Sequence, residues 1–208
     1  MAKIIDEEYW DNLKEPTKLT TFLSRLLTTP QTSTVLIAIG LCLAAFFWVY
    51  FLVTLTTEDN LRLFSVYGQF NFEYGWIAQT VDVILADWGS AGCARVFYAT
   101  LANFVIIASY NIIFIGLIVL AARLLQKNTK IQNLCLKMIF LPIIAGIFNV
   151  IGNIAMLIML VSGTSVSPIF PFIASLCGIA KNGLIIASLI VVIIEMILFI
   201  VFKLKEYK

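Results

Sequence analysis

Four stretches of this chain run for about twenty residues or more with almost no charged position, and polar segments separate them. They cover residues 34–56, 97–122, 138–162 and 169–202. A helix rises about 1.5 Å per residue, so about 20 apolar residues cross a hydrocarbon core about 30 Å thick. The first three runs fit one crossing each. The fourth exceeds a perpendicular crossing, which predicts a tilt or a loop at its start. Polar positions inside the runs are few and ordered. Gly146, Asn149 and Asn153 stand at i, i+3 and i+7, one face of a helix. Lys181 and Glu195 are the ionisable groups of the fourth run. This pattern predicts an all-α integral membrane four-helix bundle.

The segments between the runs also carry periodicity. In residues 1–33, Leu19, Phe22, Leu23, Leu26 and Leu27 recur at helical spacing, with Thr20, Thr21, Ser24 and Arg25 opposite. That predicts a short interfacial helix before Pro30 and not a signal peptide, since no cationic start leads into an apolar run. In residues 57–96, Trp76, Ile77, Val81, Ile84 and Leu85 share one face of a helix ending near Gly89. The expectation there is a re-entrant or surface-lying helical cap on the bundle. Trp48, Tyr50, Trp76 and Trp88 read as interfacial anchors. Residues 123–137 read as a basic loop, 163–168 as a hairpin and 203–208 as a tail.

Composition narrows the function classes. The chain is 61% hydrophobic and 12% charged, against about 45–50% and 25% for a soluble domain. Net charge is +2 and no polybasic block exists, so nucleic-acid binding has no support. With no histidine, the commonest metal ligand and general base is missing, and no metal site is expected. Cys42, Cys93, Cys135 and Cys177 show no paired spacing and read as packing residues, with Cys93 the one expected in a polar loop. Of fourteen Lys and Arg, eleven fall in the N-terminal segment, the middle loop and the tail, and only Arg62 and Arg95 fall on the alternate side. That asymmetry predicts both termini on the cytoplasmic side, or the equivalent matrix or stromal face.

A lysine at membrane depth costs at least about 2.5–3.5 kcal/mol without partners. Asn103, Asn149 and Asn153 fall at depths similar to Lys181, so their carbonyl oxygens are the expected solvation shell of its ammonium. Glu195 lies fourteen positions further on, about 21 Å along a straight helix, too far to pair with Lys181. Ser109, Tyr110 and Asn111 are its candidate partners, or it is protonated. Such groups fix helix pairing, line a ligand or lipid pocket, or form an ion path. Gly116, Gly146 and Gly152 read as close helix contacts. Catalysis finds no paired carboxylates in the spans and no nucleophile motif. Glu73, Asp82 and Asp87 read as a solvated loop face rather than as acid–base groups.

The segment ILADWGSAG at 84–92, Asn103 with Tyr110 seven residues on, the Asn149, Gly152, Asn153 set and Lys181 together resemble an uncharacterised family of small bacterial four-helix membrane proteins. The resemblance covers about residues 65–200. It implies acids at the positions of Asn103, Asn149 and Gly152, balancing the lysine. With those acids replaced, the expectation is a non-enzymatic accessory or structural subunit of a larger membrane complex, packed against partner subunits, lipids or cofactors. No specific cofactor is predicted, and bound lipids are expected. The alternative is a small carrier or lipid- or ligand-binding protein with a polar pocket around Lys181.

Overall fold

The computed structural model describes residues 18–53, 69–125, 129–163 and 166–206. Residues 1–17 of the N-terminal segment, the charges Glu58, Asp59 and Arg62, Lys127 and the last two residues lie outside them. All regular structure among the described residues is helical. The elements are α1 (Lys18–Leu26), α2 (Thr32–Val53), α3 (Gln69–Glu73), α4 (Ala78–Leu124), α5 (Thr129–Lys137), α6 (Phe140–Ser162) and α7 (Ile169–Glu206). Four helical stretches, Thr32–Val53, Ala78–Leu124, Ile131–Ser162 and Ile169–Leu204, are long and apolar enough to cross a membrane.

α4 exceeds the predicted second run because the helix expected over residues 76–89 joins it end to end. Gly89, at φ 60° and ψ −174°, breaks the helical geometry between an 11-residue first limb and a longer second one. That left-handed conformation is open to glycine without the Cβ penalty other residues meet. The segment 123–137, expected as a loop, contains the short helix α5. α7 has 38 residues, about 57 Å of helix.

α4 touches α2, α6 and α7, and α6 and α7 pack along each other. α2 is largely bare: among its 22 residues only Val35 and Ile39 are buried. Ile39 reaches α4 over Gly116, where a Cβ would lie 2.8 Å from its Cδ1. A Cβ on Gly152 would meet the Cys177 Cβ at 3.2 Å, where α6 approaches α7. Gly146 instead lies under the Asn111 side chain.

Two apolar clusters hold opposite ends of the assembly. One gathers Phe72 of α3, Val81, Ile84 and Trp88 of the first limb of α4, Met156 and Met159 of α6, and Ala174 of α7. Trp88 is therefore a core residue, 7% exposed and packed on Phe72 at 5.1 Å between ring centroids, not the interfacial anchor its sequence position suggests. Its face of the amphipathic limb points inward. Trp48 and Tyr50, by contrast, are exposed. The other cluster joins Leu23 of α1, Ile118 and Val119 of α4, Cys135 and Leu136 of α5, and Ile139.

Candidate functional site

The site is built around Lys181, three residues after Gly178 on α7. Its ammonium forms an ion pair with the Glu73 carboxylate and donates to Asn149 Oδ1 at 3.3 Å. The two charged side chains are 11% and 17% exposed. Glu73 is the last residue of α3, a five-residue helix. Three contacts hold it there. Ser175 Oγ donates to the Glu73 carbonyl at 3.1 Å, and the Trp76 N–H donates to the same hydroxyl at 3.1 Å. Trp76 has φ 30°, a left-handed backbone for a bulky residue, and its ring meets Phe172 edge-on at 6.1 Å. Gly178 provides the seat for the carboxylate: a Cβ there would stand 2.9 Å from Glu73 Oε1 and 3.1 Å from the Tyr74 ring.

The amides make two separate polar contacts across the helices. Asn149 Nδ2 donates to the Tyr110 hydroxyl at 3.4 Å, carrying the contact from α6 to α4. Asn103 Nδ2 donates to Asn153 Oδ1 at 3.2 Å. Asn153 Nδ2 is buried without a hydrogen-bond partner. So of the three amides expected around the ammonium, Asn149 bonds it, while Asn103 and Asn153 bond each other one turn away. Lys181 is neutralised by a carboxylate from the chain between the first two spans.

Tyr74 extends this site outward. Asn182 Nδ2 donates to its hydroxyl at 2.6 Å. Burial, and then the neighbouring Glu73 charge, push the Tyr74 phenol above its ordinary value of 10.0. Beside it lies a hollow of about 400 Å³ lined by Asn71, Tyr74, Trp76 and Thr80 among others. Asp82 holds a different seam: its Oδ1 accepts from the Val166 N–H at 3.4 Å, tying the α6–α7 hairpin to the first limb of α4.

Glu195 is placed apart from its expected partners. Tyr110 is engaged by Asn149, and Asn111 Nδ2 donates to its own helix at Ile107 O, 2.9 Å. The carboxyl lies instead beside the Cys135 thiol of α5, a weak donor, and its oxygens have no other partner.

Two functional side chains escaped sequence reasoning. Glu73 resembles any loop acid in sequence, and its signal is the following Tyr-Gly-Trp turn, which marks a tight reversal. Arg123 resembles a basic loop residue, yet it is 9% exposed. Its guanidinium donates to Leu26 O at 2.9 Å, Pro30 O at 2.6 Å and Thr32 Oγ1 at 3.2 Å, clasping the α1–α2 connection.

Chemically, the arrangement is a compensated charge in a network of amides. Among the described residues no group of three His, Cys, Asp or Glu could hold a metal ion. No protein-family model, curated protein or solved structure matches this chain.

Proposed function

We propose that the chain is a non-enzymatic, multi-pass subunit of a larger membrane assembly. Its four long helices form a bundle, α1 lies at the interface, and α3 with the first limb of α4 caps the bundle at the Lys181 end. Both termini face the cytoplasm or its equivalent. The observation that carries this reading is the pairing of Lys181 with Glu73 and Asn149. The cation is satisfied by the chain itself, and the three groups involved stand on three different elements, α7, α3 and α6. Such a network specifies how helices pair. The bare circumference of α2 supports the same reading, because lipid or a partner helix must cover it.

The test is extraction in mild detergent followed by light scattering that separates protein from detergent mass. A stoichiometric assembly with other membrane proteins is expected. A stable lone monomer as the sole species would overturn the reading.

A second reading is favoured by the hollow beside Tyr74. There, beside the residue that follows Glu73, the chain would bind a lipid head group or other ligand as a small carrier or binding protein, with Lys181 as the nearby charge of its polar pocket. Lys181→Met that folds normally and leaves binding of anionic lipid unchanged would remove this alternative.

A further inference from the structure

Glu195 is 1% exposed, and apart from the weakly donating Cys135 thiol its carboxyl oxygens have no hydrogen-bond partner. Val191, Val192, Leu198, Phe199 and Phe202 stand at −4, −3, +3, +4 and +7 from it, so all share its face of α7. All five pack against the apolar cluster supplied by α1, α4, α5 and the start of α6. The carboxyl therefore sits in the middle of an otherwise hydrocarbon stripe.

Among the described side chains, the charged groups of the neighbouring elements are engaged or exposed elsewhere. On α4, Arg123 is engaged with Leu26, Pro30 and Thr32. On α1 and α5, Arg25 and Lys137 are exposed. On α7 itself, Lys203 lies over the Phe199 ring at 5.6 Å. Among the described side chains, the Cys135 thiol is the titratable group that faces the carboxyl. A bare carboxylate in such surroundings costs several kcal/mol, whereas the neutral acid costs far less. A hard metal cation needs about six or more oxygen ligands, which one carboxyl beside one thiol does not offer.

We propose that Glu195 is a proton-binding site, occupied in the folded state at neutral pH and enclosed by α1, α4 and α5. The proton can leave only when water reaches the carboxylate, and that requires α1 and α5 to lift from this face of α7. The site is independent of the Lys181 network, so it stands whether or not the chain is an assembly subunit.

The test uses the full chain in detergent or liposomes. Infrared difference spectra between the wild type and Glu195→Gln are expected to show a protonated-acid carbonyl band at neutral pH that is lost in the variant and shifts in D₂O. Its absence from the wild type, or its persistence in Glu195→Gln, would overturn the proposal. Glu195→Gln should melt as the wild type does, because one neutral group replaces another. Should that variant fail to fold, Glu195→Asp is expected to move the band, and an unmoved band is equally decisive. A hydrophobic carbodiimide gives a second readout. The acid's proton passes to one carbodiimide nitrogen while its oxygen bonds the central carbon, and the adduct rearranges to an N-acylurea. Mass spectrometry is expected to place that adduct on residue 195. Adducts confined to other acids would overturn the assignment.

Discussion

At the scale of single residues, the Lys181–Glu73 pair decides most. Removing either charge strands the other in a poorly hydrated place, while removing both strands neither. Lys181→Met and Glu73→Gln should each destabilise the folded chain, and the double variant should lose less than their sum. A coupling of about 1–3 kcal/mol is expected from a double-mutant cycle of thermal or denaturant unfolding in detergent. Additive losses would mean that the pair contributes nothing beyond its parts. Tyr74 gives a pH dependence. The folded chain holds the phenolic proton more tightly than the unfolded chain, whose tyrosine ionises near 10.0. The contribution is complete below that pH and is lost as pH rises through the higher folded-state value. Unfolding followed from neutral pH into the alkaline range should show this decline in the wild type, and Tyr74→Phe should flatten it.

At the scale of elements, the short helices are held by polar clasps rather than by their own propensity. Nine residues of α1 are too few to be stable alone in water. Arg123 satisfies carbonyls of the α1–α2 connection that would otherwise lack donors inside the fold. Arg123→Ala should cost roughly 1–3 kcal/mol through those orphaned carbonyls. Hydrogen exchange should show protection lost first in α1 and unchanged in α6. Equal loss in both would place Arg123 in the global core instead. The first limb of α4 follows the same logic. Its amphipathic face and its end at Gly89 were legible in sequence because periodicity and a helix-breaking residue are local. That this face buries Trp88 against Phe72 was not, since Phe72 arrives from a separate element.

At the scale of the whole molecule, the proposed orientation in a bilayer rests on the distribution of Lys and Arg. Arg123 turns inward and is consumed by the fold, yet the remaining basic residues keep the same asymmetry. With the four native cysteines replaced, a membrane-impermeant maleimide should label Ser90→Cys on intact cells. It should label Lys203→Cys only after permeabilisation, and the reverse pattern would invert the proposed orientation. Both positions are exposed in the fold, so access reports sidedness rather than burial.

The number and rough bounds of the apolar helices follow from the sequence alone, because hydrophobic length along one segment is a local property that a bilayer reads directly. The place of Lys181 within the fourth apolar run, and a buried cation's need for partners, follow in the same way. Which partners it takes does not. Asn103, Asn149, Asn153 and Glu73 all compete for one ammonium, and the winner depends on how four elements cross. Only the tertiary structure brings the end of α3 over Gly178, where a side chain of hydrogen leaves room for a carboxylate to reach the charge.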